Sequence, residues 1–225
     1  MFDFELFGWG ILESLYMTLG STAIAYLIGL PLGILLIVTE QPRDTANYTT
    51  KNWIFRIIHV VLGFITNVLR SIPFVILLVF MIPITRGIVG TATGSTAAIV
   101  PLVVGAAPYI ARLVESSIKE VDKGVIEAAR SMGASTGQII WKVLLPEAKP
   151  SLLIGSAIAV TTIFGYTAMA GFVGGGGLGD IGIRYGFHRY QTDIMIVTLI
   201  LSIIIVQILQ EVGMRLAKIN DKRIN

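Results

Sequence analysis

The chain has 225 residues, 54% of them apolar and only 14% charged, with a mean hydropathy of +0.80. That balance excludes an ordinary soluble domain and points to a membrane protein. With no cysteine, disulfides and thiolate metal sites are excluded, and the formal net charge of +3 needs no nucleic-acid partner once the placement of the basic residues is considered.

A helical span needs about 20 predominantly apolar residues. Five stretches qualify: 14–38, 57–84, 94–113, 152–173 and 194–212. They predict an all-α integral membrane bundle, since a barrel would show short segments alternating every second residue. The opening segment MFDFELFGWG has no positive n-region, is not read as a secretory signal, and is expected outside the membrane. In the first span Pro31 stands between Gly29 and Gly33, a small-xxx-small spacing that permits close helix approach. A polar, turn-rich linker follows, with Trp53 as an interfacial aromatic.

The second span is interrupted by Asn67, Arg70 and Pro73. A central arginine costs at least about 2.5 kcal/mol on insertion scales. Arg70 is therefore expected to face a path or a subunit contact, or else to snorkel from a short re-entrant helix.

After the third span comes the longest polar segment, 114–150, expected to be solvated. Within it Val125, Ala128, Ala129 and Met132 recur at helical spacing, which predicts a helix with one apolar stripe. Gly133 can take the left-handed conformation that ends a helix. Ser135 and Gln138 form an S-x-x-Q capping box opening a second short helix, which Pro146 is expected to stop. The product is a helix-glycine-helix hairpin.

In the fourth span Tyr166 and Met169 lie three residues apart among small neighbours, a pairing suited to a path for an apolar amino-acid side chain or to plain core packing. The glycine-rich linker after it matches G-x-G-x-x-G at Gly174, Gly176 and Gly179, but no strand precedes it, so a dinucleotide site is not expected. Its glycines instead permit sharp bends or close backbone approach.

Thirteen of the seventeen Lys and Arg residues fall in the first linker, the third linker and the C-terminal tail, against Arg86, Arg184 and Arg189 in the other connections. The positive-inside rule then predicts N-out, C-in. No catalytic residue, cofactor or metal set is read. The only histidines are His59 and His188, and neither HExxH nor a Walker A string occurs. A gradient-driven transporter is the serious rival, yet such proteins carry intramembrane acids or histidines, and here all acidic residues are read in loops or at span ends.

Glu127, Ala128 and Ala129, then Gly133, then Val143, Leu145 and Pro146, resemble the EAA loop of bacterial ABC-importer permeases, with Val143 where isoleucine is usual. The strings LRSIPFVILLVFMIPITR and GYTAMAGFVGGGGLGDIGIRYGFHRYQTDIM are similar to the methionine-uptake permeases, so the likeness covers nearly the whole chain. The resemblance implies a type I importer fold in one transmembrane domain over residues 1–225, set in the bacterial cytoplasmic membrane. It implies ATPase coupling through Glu127, Ala128, Ala129, Arg130, Gly133, Leu145 and Pro146. It also implies a homodimer, two separate ATPase subunits and an external binding protein or lipoprotein that delivers the amino acid. Methionine is the expected cargo, with glycine betaine or another small solute as the alternative. Arg70, Tyr166 and Met169 are the expected residues of the path.

Overall fold

In the computed structural model, residues 4–40 and 50–220 are described; Arg43, Lys222 and Arg223, which entered the charge argument, lie outside them. The described secondary structure is helical throughout. Five helices are long and apolar enough to cross a membrane.

Helix α1 (Phe4–Thr39) starts ten residues before the expected span. The cause is tertiary: Phe7 and Gly10 are buried, and Phe7 clusters with Leu178 and Ile181 far along the chain. Further on, α1 lies directly on α4 (Ser95–Lys119), and Gly29 and Gly33 make this possible. A β-carbon on Gly33 would stand 2.6 Å from the Ala111 carbonyl oxygen and 2.7 Å from Val114 Cβ. Without a hydrophobic force between helices in lipid, such backbone proximity is what supplies dispersion contacts. Pro31, Pro101 and Pro108 sit inside these helices, where neighbouring groups can satisfy the freed carbonyls.

The expected second span of 57–84 is corrected to two helices, α2 (Thr50–Ser71) and α3 (Phe74–Val89). Pro73 caps α3 at φ −57°, ψ 129°. It has no amide hydrogen to continue the ladder, and its ring pushes the preceding residue out of helical geometry. Helix α4 is the most buried of the five long helices and runs six residues beyond the expected end at 113.

Two short helices follow, α5 (Lys123–Ser131) and α6 (Thr136–Ile139). The expectation that Pro146 stops the second is corrected: helical structure continues unbroken from Thr136 to Val173, through a π turn at Ile140–Leu144 into α7 (Leu145–Ala170). The Leu145 amide bonds five residues back, to the Ile140 carbonyl. A wider turn suits a following proline, whose ring crowds the carbonyl four residues back in a regular α-helix. A 3₁₀ turn at Gly171–Val173, α8 (Gly177–Ile181) and a second π turn at Gly182–Phe187 lead to α9 (Thr192–Asn220).

Candidate functional site

The hairpin after α4 is built by local chemistry. The Asp122 carboxylate accepts from the Gly124 amide at 2.6 Å, capping α5. Gly133 ends the helix at φ +79°, and the Ala134 amide reaches back to the Ala129 carbonyl at 3.1 Å. Ser135 Oγ then accepts from the Gln138 amide while Gln138 Oε1 accepts from the Ser135 amide at 2.8 Å, so the predicted capping box is present.

The single apolar stripe is corrected. Ala129 is buried against the protein's own core, together with Ile139, whereas Val125, Ala128 and Met132 face outward. Trp141, nine residues beyond Met132 on the π turn, is also exposed. Among the resembling residues, Glu127, Ala128, Arg130, Gly133 and Pro146 are exposed, while Leu145 packs on the core at the root of the hairpin. The hairpin thus presents an outward apolar surface, with Met132 82% exposed, edged by Glu127 and Arg130.

Below the hairpin lies an ionic cluster that sequence reasoning missed. Glu115, expected to be solvated, is buried. It accepts from Arg112 at 2.6 Å and from Lys119 at 2.9 Å, and Lys119 also reaches Glu40 at 2.7 Å. Arg112 further donates to Asn67 Oδ1 at 2.9 Å and to the Gly63 carbonyl at 3.3 Å. Residues of α2, α4 and the segment just past α1 are thereby tied together, and Ser151 Oγ donates to Ser117 Oγ to add α7. The signal available in the sequence was the i, i+3 and i+4 spacing of Arg112, Glu115 and Lys119.

The break between α2 and α3 opens a cavity of about 150 Å³ whose lining includes Arg70, Phe74, Tyr109 and Tyr166. Its depth follows from Gly105, where a β-carbon would stand 3.1 Å from the Phe74 ring. Gly105 is ten residues from the Ser95 end of α4, or about 15 Å at 1.5 Å per residue, near the middle of a bilayer core about 30 Å thick. The Tyr166 ring stacks on Phe74 with centroids 4.4 Å apart and planes 14° from parallel. Arg70 and Tyr166 therefore share one cavity. Met169 is exposed on α7 and does not line it.

At the opposite end from the hairpin, the glycine-rich segment packs tightly. The Gly177 amide donates to Glu13 Oε2 at 2.7 Å, the Leu178 amide to Ser14 Oγ at 2.9 Å, and the Gly94 amide to the Gly174 carbonyl at 2.9 Å. A β-carbon on Gly171 would meet backbone atoms of Gly179 and Asp180 at 2.5 Å, so close backbone approach is the reason for glycine here.

Comparison with known proteins matches residues 48–225 to the family described as the binding-protein-dependent transport system inner membrane component. A probable D-methionine transport system permease protein MetI of Vibrio cholerae is 48% identical over 211 residues, 94% of this chain and 90% of that protein. The methionine import system permease protein MetP of Bacillus subtilis is 44% identical over 171 residues, 76% of this chain and 77% of that protein. A solved chain described as an inward-facing conformation of the MetNI methionine ABC transporter superposes with a TM-score of 0.91 at 46% identity, covering 99% of this chain and all of that one. A crystal structure of an amino acid ABC transporter with histidines shares the fold, with a TM-score of 0.76 at 18% identity over 97% of this chain and 99% of that one. On this evidence the chain belongs to the binding-protein-dependent transport system inner membrane component family.

Proposed function

We propose that this chain is the transmembrane permease subunit of an ATP-driven methionine importer. The single observation that carries the reading is the hairpin at 121–146, with its capped, outward-facing α5 displaying Glu127, Ala128 and Arg130, in a chain 48% identical to a protein described as a D-methionine permease. The outward apolar surface suits insertion into a groove of a separate ATPase subunit, and Glu127 and Arg130 at its edge set the orientation. Motion of that subunit reaches the membrane helices through the unbroken helical run from Thr136 into α7 and through the ionic cluster at the root of α4.

The path runs past the break between α2 and α3, where Arg70, Tyr166 and, one turn along α7, Met169 are its expected contacts. One copy leaves Arg70 exposed near mid-membrane depth, a costly arrangement against lipid. A second copy related by two-fold symmetry supplies the other wall. An external binding protein delivers the cargo.

The test is to purify the chain with its native ATPase and binding protein and to measure which solute raises ATP hydrolysis. Stimulation by methionine and not by glycine betaine is expected. Stimulation by glycine betaine alone would overturn the substrate assignment while leaving the importer assignment in place.

A further inference from the structure

We propose that Arg70 is the carboxylate-binding end of a substrate subsite within the membrane, with the stacked Phe74 and Tyr166 rings as its apolar wall. This rests on the translocation reading above and adds to it the ligand chemistry of one place on the path.

Three features of the cavity converge. First, Arg70 has no acceptor: among the described residues its guanidinium makes no hydrogen bond and no ion pair. Arg112, Arg184 and Arg215 each hold a carboxylate. Arginine stays charged in proteins, and a charge near mid-membrane depth is costly unless it meets water, a partner or a ligand. Its planar fork matches a carboxylate through two parallel hydrogen bonds.

Second, the wall is fixed and apolar where the arginine is not. The Phe74 ring packs with its Cδ2–Cε2 edge against Gly105, whose missing side chain makes the room, and Tyr166 stacks on that ring. The Tyr166 hydroxyl has no hydrogen-bond partner among the described residues, which leaves a free donor on a residue that lines the same cavity as Arg70.

Third, the size and the missing charge define the ligand class. About 150 Å³ is about five waters' share of liquid volume, suited to a small amino acid. No acidic residue lines the cavity. The subsite therefore reads a carboxylate and an apolar side chain and leaves the ammonium uncontacted, on the open side.

The experiment uses the permease–ATPase complex in lipid nanodiscs and two probes, the diazirine amino acid photo-methionine and its carboxamide. After irradiation, labelled peptides are mapped by mass spectrometry. The acid is expected to label the peptides bearing Phe74 or Tyr166 about tenfold or more above the carboxamide, as a charge-assisted pair requires. Arg70→Gln should abolish that preference, and Arg70→Lys should keep part of it. Equal labelling of the cavity by acid and carboxamide in the parent complex would overturn the Arg70 assignment while leaving the path in place. Label that avoids the cavity altogether would overturn both. If Arg70→Gln fails to assemble, the parental comparison of acid with carboxamide decides alone, since it needs no substitution.

Discussion

Gly133 and Glu127 sit a short distance apart in sequence but carry different tasks in the hairpin. At φ +79° a β-branched side chain is strained, so Gly133→Val should distort the turn. Glu127→Lys reverses an exposed charge without touching the core. Both variants are predicted to reach the membrane and to lower ATPase-coupled uptake at least about tenfold, the scale of a lost interfacial anchor; uptake and co-purification of the ATPase at parental levels in both would remove the hairpin from the coupling role.

A third residue, Glu115, is buried between Arg112 and Lys119. Glu115→Gln leaves both cations without their shared anion and is predicted to destabilise the protein by about 1–3 kcal/mol, read as a lower unfolding midpoint in detergent. An unchanged midpoint would mean that the cluster holds nothing together. Glu127, Gly133 and the Ser135–Gln138 box were readable because each acts on its own neighbours in sequence. Glu115 was misread as solvated because the two cations that hold it are themselves tied to Asn67 of α2 and to Glu40 just past α1, which no local pattern reports. For the same reason Arg70 and Tyr166 could be named singly, while Phe74, which brings them together, could not.

Elements were legible where hydropathy and breakers agree. The third to fifth spans appear as α4, α7 and α9, each extended by one to two turns at one end or both because polar helix ends are held by tertiary contacts that hydropathy ignores. The second span was read through its break, since 57–84 is predominantly apolar and, of the interruptions Asn67, Arg70 and Pro73, only the last falls between the two helices. Pro146 misled in the opposite sense: a proline often ends a helix, but here a π turn leads through it into α7. The Gly29 and Gly33 spacing gave a correct reading of close packing, with a sharp consequence. Gly33→Leu would drive a side chain into the Ala111 carbonyl and Val114, and is predicted to abolish accumulation of the folded chain in the membrane. Gly8→Leu, at a position with nothing within 4 Å, is expected to accumulate normally. Equal accumulation of the two variants would show that the α1–α4 contact is not what holds these helices.

At the scale of the whole molecule, orientation and energy source each carry a prediction. The absence of cysteine makes the first clean. Introduced singly, Met132→Cys in the hairpin is predicted to be shielded from an impermeant thiol reagent in intact cells, and His188→Cys beside α9 to react; the reverse pattern would invert the topology and separate the hairpin from any cytoplasmic ATPase. Energy source is the centre of the account, since everything here turns on a chain without a nucleotide motif moving cargo by another subunit's work. The decisive measurement is methionine uptake into proteoliposomes that contain this chain with its ATPase and receive its binding protein. Uptake is predicted to require ATP inside the hydrolysing compartment and to persist when ionophores collapse every ion gradient. Uptake that continues without ATP and vanishes with the gradient would contradict the account.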